Sequence, residues 1–519
     1  MSIERKVCPR ILSAAEAAAL IPNGAHIAVS GFGGTGVANT IHRALTERCA
    51  RVDAPCKLTY IHAAGHILNQ GGDLLAAHGM LDKVIGGHWG LMPALRQKIS
   101  AEEVEAHNWP QGVVVDSFRA AACGKTAGLR SHIGLGTFVD PRQKGGCANE
   151  RARRAGSLIR LIKEDGQEIL EYAPLKPDFA LIRGWSADHL GNVSLGMEPV
   201  SLSIEYIAMA TRRNGGQVIC QVRTIDHNTT YSADRVTLPG FLIDVLVKAE
   251  RPEVEHRQCE AFDINPAMIN LESKTSLETP KVPQGPRGWI GRRASMEVQS
   301  GNVLNLGIGI PGDVVGAALH ETGRLEEVVS TLESGVFGGV ALGGNNFGSS
   351  LYPHARLDQS SMFDLYHGGG LDIAIMGAAE IDVDGNINVS QFGGRATGCG
   401  GFIDITQSAR RVVFCSTLTA GGLEASYENG KVCILKEGKH RKFIRKVEQI
   451  TFNGSRAFSS KQSVILITER CVFDFYEKGW RLIEVAPGID IEQQILSQMD
   501  FLPTISSSIK AMPPYCFSL

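Results

Sequence analysis

A strand, a glycine loop and a helix follow one another twice in this chain, once near the start and once past the middle. The first copy reads as a strand over 25–30, the loop Gly31-Phe-Gly-Gly-Thr-Gly36, and helical spacing over 37–47. The second reads as a strand over 301–306, the loop Gly307-Ile-Gly-Ile-Pro-Gly312, and a helix beginning at Asp313. Apolar order and glycine placement match after a shift of one residue, the mark of an internal duplication. A further strand over 57–61 continues the alternation, which implies an α/β fold: two similar open α/β domains with mainly parallel sheets. A chain of 519 residues has ample length for two large cores. Between the copies, Ala249 to Gly288 is polar and carries Pro252, Pro266, Pro280, Pro283 and Pro286. The expected division is therefore a domain over 1–250, a linker over 251–288 and a second domain over 289–519.

Composition removes several function classes. There are 59 glycines in 519 residues, against a usual share of about 7%. Only 21 prolines accompany them, with no G-X-Y period, so the glycines belong to folded positions needing positive φ or close approach. The formal net charge of −2 argues against a nucleic-acid partner. The 12 cysteines form no CxxC pair, which excludes zinc ribbons and fits reduced thiols in a cytoplasmic protein. No run of about 18 apolar residues suggests a membrane partner. Ser13-Ala-Ala-Glu16 has capping-box spacing and opens a helix where a leader's apolar core would otherwise stand.

Both loops satisfy GxGxxG, in which Gly33, Gly34, Gly307 and Gly309 could bring N–H groups to an anion at a helix start. Tight strand-to-helix turns explain the same glycines, and both readings stand at this point. A nicotinamide cofactor is disfavoured: Asp53 precedes the next strand where an acidic residue should end it, and Pro311 interrupts the second loop.

The sharpest local feature is Val328-Val-Ser-Thr-Leu-Glu333-Ser-Gly335, a β-branched run ending in one carboxylate with glycines at 335, 338, 339, 343, 344 and 348 behind it. Open α/β sheets bind ligands at strand C-termini, and glycines would let a bulky substrate lie against main chain beside Glu333. A surface glutamate ahead of a flexible loop fits the pattern too. Asp382-Val-Asp-Gly-Asn386 echoes a calcium loop but has Gly393 where the bidentate glutamate belongs, so a tight turn at Asp384-Gly385 is expected. His367-Gly-Gly-Gly370 has no GxSxG partner. His88-Trp89 reads as a packed pair, and no metal site is expected. Gly393 to Gly401, placed between strands expected over 387–389 and 402–405, could offer N–H donors to an oxyanion.

Several blocks together resemble family I coenzyme A transferases: Asn305-Leu-Gly-Ile-Gly-Ile-Pro311, Leu332-Glu-Ser-Gly335 and Gly398-Cys-Gly-Gly401. Gly87-His-Trp89, Trp109-Pro-Gln-Gly112, Gly134-Leu-Gly-Thr-Phe-Val-Asp-Pro-Arg142 and Tyr366-His-Gly-Gly-Gly-Leu-Asp372 extend the resemblance over most of the chain. It is strongest to single-chain acetate and propionate CoA-transferases. The resemblance implies a CoA-transferase-like fused duplication with Glu333 as nucleophile. Glu333 would attack an acyl-CoA, release a carboxylic acid by way of a mixed anhydride, and hold coenzyme A as a glutamyl thioester. A second carboxylate would reverse the steps, with no metal or other cofactor. By the same resemblance Gln111 orients the reacting carboxyl, Asn388 contacts the acyl oxygen, and Gly398, Gly400 and Gly401 surround it. Gly400 and Gly401 would supply main-chain donors.

The implied partners are an acyl-CoA and a short-chain carboxylate such as acetate or propionate, in a homo-oligomer (dimer or tetramer). Similar halves place the site in a cleft, Gln111 from the first domain and Glu333 from the second. Cys147, where relatives carry lysine, and Met362, where they carry glutamine, depart from the pattern. Rival readings are an acyl-CoA hydrolase on the same scaffold, an NAD-dependent oxidoreductase and a non-catalytic acyl-CoA sensor.

Overall fold

The computed structural model describes residues 8–270, 281–477 and 479–517. Two compact units emerge, and the chain crosses between them more than once. Of the described residues, the first contains 8–270, 332–364 and 394–404; the second contains 281–331, 365–393, 405–477 and 479–517. This differs from a division at a single linker.

The first unit is built on eight strands: β1 (Arg10–Leu12), β2 (His26–Val29), β3 (Leu58–His62), β4 (Leu81–Gly86), β5 (Glu105–Asn108), β6 (Phe179–Arg183), β7 (Gln217–Val222) and β8 (Val245–Lys248). They form one sheet in the order β1-β8-β7-β6-β2-β3-β4-β5, and every pairing is parallel. β3 and β6 are buried at every position, as strands covered by helices on both faces must be. The covering helices include α1 (Ala14–Ala19), α2 (Asn39–Val52), α3 (Pro93–Ser100), α4 (Gln111–Ala122) and α5 (Ile204–Arg213). α1 starts with the expected capping box: Ser13 Oγ accepts from the Glu16 N–H, and Glu16 accepts from the Ser13 N–H. Asp53 closes α2 in the left-handed conformation with its N–H on the Cys49 carbonyl, so its role is a helix stop.

The second unit has α6 (Pro286–Ser295) and the strands β9 (Val303–Leu306), β10 (Val329–Leu332), β11 (Ile373–Gly377), β12 (Arg411–Cys415), β13 (Ser463–Ile467), β14 (Cys471–Tyr476), β15 (Gly479–Val485) and β16 (Thr504–Ala511). Their order is β10-β9-β11-β12-β13-β14-β15-β16. The strands from β10 to β13 pair in parallel, and β14 then turns back antiparallel. Each copy of the repeated motif thus feeds an interior strand of a parallel sheet, β2 in one unit and β9 in the other. No helix among the described residues is long and apolar enough to cross a membrane.

Two local expectations change. Residues 252–268 are packed structure of the first unit. Glu255 is buried, accepting from Thr40 Oγ1 at 2.8 Å and Arg43 Nε at 2.5 Å, and Cys259, Ala267 and Met268 pack with Leu351. Their prolines start short helices at Pro252 and Pro266, which a prolines-mean-linker rule misses. The rest of the expected linker over 271–280 lies outside the described residues. The segment expected as a strand over 402–405 is a helix, Phe402–Ser408. By contrast, Asp382–Asn386 forms the expected turn, between antiparallel strands Glu380–Ile381 and Ile387–Asn388.

Behind β2 and β3 lies a buried cluster of His42, Tyr60, His62 and His66. Nδ1 of His62 is 2.7 Å from the Ala64 carbonyl, and its Nε2 accepts from Trp89 Nε1 at 3.2 Å. His42 spans the Ala38 carbonyl and the Tyr60 hydroxyl, 2.8 and 3.0 Å away. These partners suit neutral rings, and burial lowers the pKa of His42 and His62 to about 4. In the unfolded chain the same rings titrate near 6.5, so the stabilisation is complete above that pH and is lost as pH falls from about 6.5 toward 4. Urea unfolding is expected to show a loss of about 1 kcal/mol per ring between pH of about 7.5 and 5.5. Imidazole resonances of His42 and His62 that titrate near 6.5 in the folded protein would contradict this.

Candidate active site

Glu333 directly follows β10, in a turn that also holds Ser334 and Gly335. Glu333 is 7% exposed and Ser334 fully buried, so the surface-glutamate alternative does not describe this position. Gly335 has φ +111, and a Cβ there would lie 2.2 Å from the Leu357 carbonyl oxygen. Only glycine lets the returning strand Ala355–Arg356 pass this close to pair with Val336–Phe337. Apolar residues on either side along the chain anchor the carboxylate to the first unit: Leu332, just before it, and Val336, three residues after, cluster with Phe32, Ala64, Val200, Leu202 and Phe347. Glu333 and Gln111 accordingly belong to one compact unit, whereas the sequence placed them in two domains. Apolar burial on both sides of Glu333 outweighs its place in the chain.

The first glycine loop is a set of turns with its donors already used. The N–H groups of Phe32, Gly33, Gly34 and Thr35 donate to Thr35, Gly65, Asn345 and Phe32 carbonyls respectively. Gly33 and Gly34 therefore place main chain against the arm following Glu333. A Cβ on Gly33 would stand 3.0 Å from the Asn345 carbonyl oxygen, and Thr35 Oγ1 meets Ser349 Oγ at 3.1 Å. Of the two readings open for this loop, close backbone approach is the one the geometry displays.

A second junction forms around the segment Gly398–Gly401. The Gly400 N–H donates to the Gly87 carbonyl at 2.8 Å, and the Gly400 carbonyl accepts from the Gln111 N–H at 2.9 Å. Trp89 N–H reaches the Thr397 carbonyl at 2.7 Å. Asn108, the last residue of β5, secures both sides: its Oδ1 accepts from Cys399 N–H, and its Nδ2 donates to the Gly86 and Gly87 carbonyls. Gly400 is thus engaged where an open oxyanion donor was expected. Gly401, buried at the start of helix Phe402–Ser408, donates its N–H to no described residue. Gln111 is the first residue of α4, which is buried on nearly all sides. It is 2% exposed, and its Nε2 has no hydrogen-bond partner among the described residues. Its Oε1 lies 3.9 Å from where a Gly400 Cβ would stand, and His88 Cβ is 3.8 Å from that point. Burial, with help from the positive charge of Arg96, lowers the His88 pKa to about 4, leaving the ring neutral.

The remaining sequence candidates lie in the second unit. Gly307 donates to the Ile375 carbonyl, and Gly309 has φ +90 with its carbonyl on Asp313 N–H. Asn388 is fully buried with both Nδ2 protons engaged, by Glu380 Oε2 at 2.7 Å and the Gln391 carbonyl at 2.6 Å. In this arrangement its amide braces a hairpin. Cys147 and Met362 are both buried. Sequence reasoning missed Asn108, whose only signal was a polar residue closing a strand immediately before Trp109-Pro110-Gln111.

Residues 11–249 match the family model described as coenzyme A transferase. Over 517 residues the chain is 40% identical to a caffeate CoA-transferase of Acetobacterium woodii, covering 98% of this chain and 97% of that protein. The chain belongs to the coenzyme A transferase family. It is 38% identical to the acetate CoA-transferase YdiF of Escherichia coli K12, across 98% of this chain and 95% of that one. A crystal structure of the acyl-CoA transferase YdiF from E. coli O157:H7, a thioester complex with CoA, superimposes with a TM-score of 0.90. The two are 36% identical, with 98% and 96% of the respective chains covered. The protein is therefore a CoA-transferase enzyme.

Gly398 offers a test of the second junction. It has φ +84, and an added Cβ would fall 2.6 Å from the Gly87 carbonyl oxygen and 2.8 Å from His88 Cα. Gly393 also has positive φ, but nothing stands within 4 Å of its Cβ position. Gly398→Ala is expected to lower kcat/KM by about 100-fold, the scale of a 1 Å misplacement of reacting groups. Gly393→Ala should stay within about threefold, since a residue in the same backbone region without a clash pays only local strain. Equal losses in the two variants would remove the close-approach argument.

Proposed function

We propose that this transferase moves coenzyme A reversibly between a short-chain acyl-CoA and a free carboxylate such as acetate or propionate. The route is ping-pong through a glutamyl-CoA thioester on Glu333. The observation that carries the reading is a buried carboxylate at a strand end, whose neighbours Leu332 and Val336 pack with Phe32 of the glycine loop. Two related facts support it: the YdiF structure is a thioester complex with CoA, and one similar protein is named an acetate CoA-transferase.

In the first half-reaction a Glu333 oxygen attacks the thioester carbonyl, and the tetrahedral oxyanion collapses to a mixed anhydride and CoA thiolate. The thiolate attacks the Glu333 acyl carbon, the acid leaves as carboxylate, and the enzyme holds Glu333 as its CoA thioester. The incoming carboxylate reverses these bonds. Electrons and atoms balance without any external oxidant or reductant, and the thioester free energy is kept in the covalent intermediate. Gln111 Nε2 and the Gly401 N–H are the donors open to a developing oxyanion in this arrangement, each worth about 2.7–4 kcal/mol in comparable holes. We further propose a cytoplasmic homo-oligomer.

Incubation with propionyl-CoA followed by borohydride and peptide mass spectrometry tests the intermediate. Reduction of Glu333 to the alcohol is expected, and an unmodified Glu333 peptide under conditions of turnover would reject the mechanism. Glu333→Gln is expected to lower kcat by at least about 10⁴-fold, as removal of a covalent nucleophile does.

A further inference from the structure

We infer that Asp358 is a positioning residue for Glu333: its carboxylate ties the segment returning past Gly335 to Ser201 and Ser203, and so sets where Glu333 stands during coenzyme A transfer. The inference rests on the transferase reading above and names a further residue on which that reaction depends.

The path from Asp358 to Glu333 runs through main chain. Glu333 stands in a turn closed by the Gly335 N–H on the Leu332 carbonyl at 2.9 Å. The Gly335 carbonyl in turn accepts the Leu357 N–H at 2.8 Å, and a Cβ on Gly335 would lie 3.5 Å from the Asp358 carbonyl carbon. With no side chain at Gly335, a shift of residues 357–358 passes directly to the turn. Asp358 immediately precedes the helix Gln359–His367 and caps it: its Oδ1 accepts from the Ser360 N–H at 2.9 Å and Oγ at 2.6 Å. A cap needs no more than that. Its second oxygen, Oδ2, accepts from Ser201 Oγ at 2.5 Å and the Ser203 N–H at 2.9 Å, and Ser203 Oγ reaches Oδ1 at 3.2 Å. Arg356, two residues before Asp358, fastens the same two segments again, its Nη1 donating to the Glu198 carbonyl at 2.5 Å.

The far side of this tether departs from ordinary helix chemistry in order to reach Asp358. Ser203 stands at the N-cap position of α5, where a serine hydroxyl usually accepts from its own helix. It makes no such capping bond, and its hydroxyl goes to Asp358 instead. Leu202 and Ser203 have φ of +56 and +58, two successive non-glycine residues in the left-handed region, a conformation that persists only where neighbours hold it. Leu202 is 3% exposed and packs with Leu332 and Val336, while the next residue bonds Asp358 through both its N–H and its hydroxyl. One turn therefore grips the Glu333 segment in two ways. Apolar packing at Leu332 and Val336 is non-directional and holds the segment down. The hydrogen bonds at Asp358 have preferred distances and angles and fix its register. Attack by a carboxylate on a thioester needs the reacting atoms held to within about 1 Å, and Asp358 supplies the directional part of that constraint.

Asp358→Asn separates the cap from the tether. Asparagine caps a helix as well as aspartate does, but with its single oxygen on Ser360 its amide NH2 would face the Ser203 N–H, donor against donor. The full-length chain is compared as wild type, Asp358→Asn, the pair Ser201→Ala/Ser203→Ala, and all three substitutions together. Each is mixed with saturating propionyl-CoA, and mass spectrometry follows both the share of Glu333 that loads with coenzyme A and the rate of loading. A wild-type chain that never loads defeats the transferase reading itself, whatever Asp358 does. With loading intact, Asp358→Asn should load the same share of sites at a rate lower by about 10- to 100-fold, with KM for propionyl-CoA within about threefold of wild type. The serine pair should slow loading in the same direction by a smaller factor. The triple variant should match Asp358→Asn alone within about threefold, because every substitution breaks one tether. A merely structural cap predicts fewer loadable sites at an unchanged rate per site, and that result overturns the inference. Losses that multiply in the triple variant overturn it too, as does a rate for Asp358→Asn within about threefold of wild type. Should Asp358→Asn fail to fold, the serine pair carries the same measurement, with a slower rate per site expected and an unchanged one overturning the proposal.

Discussion

One short backbone exchange underlies the site: Gly400 gives its N–H to Gly87 and takes the N–H of Gln111. Each bond is an ordinary amide–carbonyl contact with a modest net contribution, about 1 kcal/mol. Their consequence is positional. They bring residues 87, 111 and 400 into one arrangement, and Asn108 locks it by bonding to both sides. At Gly87 a Cβ would meet the Ala63 carbonyl oxygen at 2.3 Å, and at Gly398 the Gly87 carbonyl oxygen at 2.6 Å, so backbone contact excludes a side chain at both. At Gly398 that need coincides with a positive φ, so no other residue meets both demands without displacement. Gln111, His88 and the start of helix Phe402–Ser408 take their places from this junction.

The arm that carries Glu333 is fixed by a different kind of force. Leu332 and Val336 are buried with Phe32 and Phe347, so apolar area removed from water secures the residues on either side of the carboxylate. Beyond that cluster the arm makes main-chain contact with the first glycine loop through Asn345. The result is a buried carboxylate at a strand end, between residues that pack into the first unit.

Much of the fold was legible. The Ser13–Glu16 capping box, the strand endings at the two glycine loops and the Asp384-Gly385 turn are local features, decided within a few residues. Glu333 was legible for the same reason, as a carboxylate at the end of a β-branched run. The helix at Phe402 was misread because Phe-Ile-Asp-Ile alternates like a strand. Its true character comes from Gly401 before it and from Asp404, which accepts the Gly112 N–H. Asn108 carried almost no signal, because what distinguishes it is the set of distant backbone groups it binds.

By itself the sequence determined the α/β class, the duplicated motif, the glycine positions and the identity of one exceptional carboxylate. These depend on local periodicity and on residue chemistry, which a linear text contains. Only the tertiary structure decided that 332–364 and 394–404 join the first unit, that the donors of Gly33, Gly34 and Gly400 are already used, and that the side-chain amide of Gln111 is not. Those outcomes turn on backbone hydrogen bonds and burial between residues hundreds of positions apart. An N–H group has the same letter in the sequence whether it is spent or free, and only its neighbours in space show which.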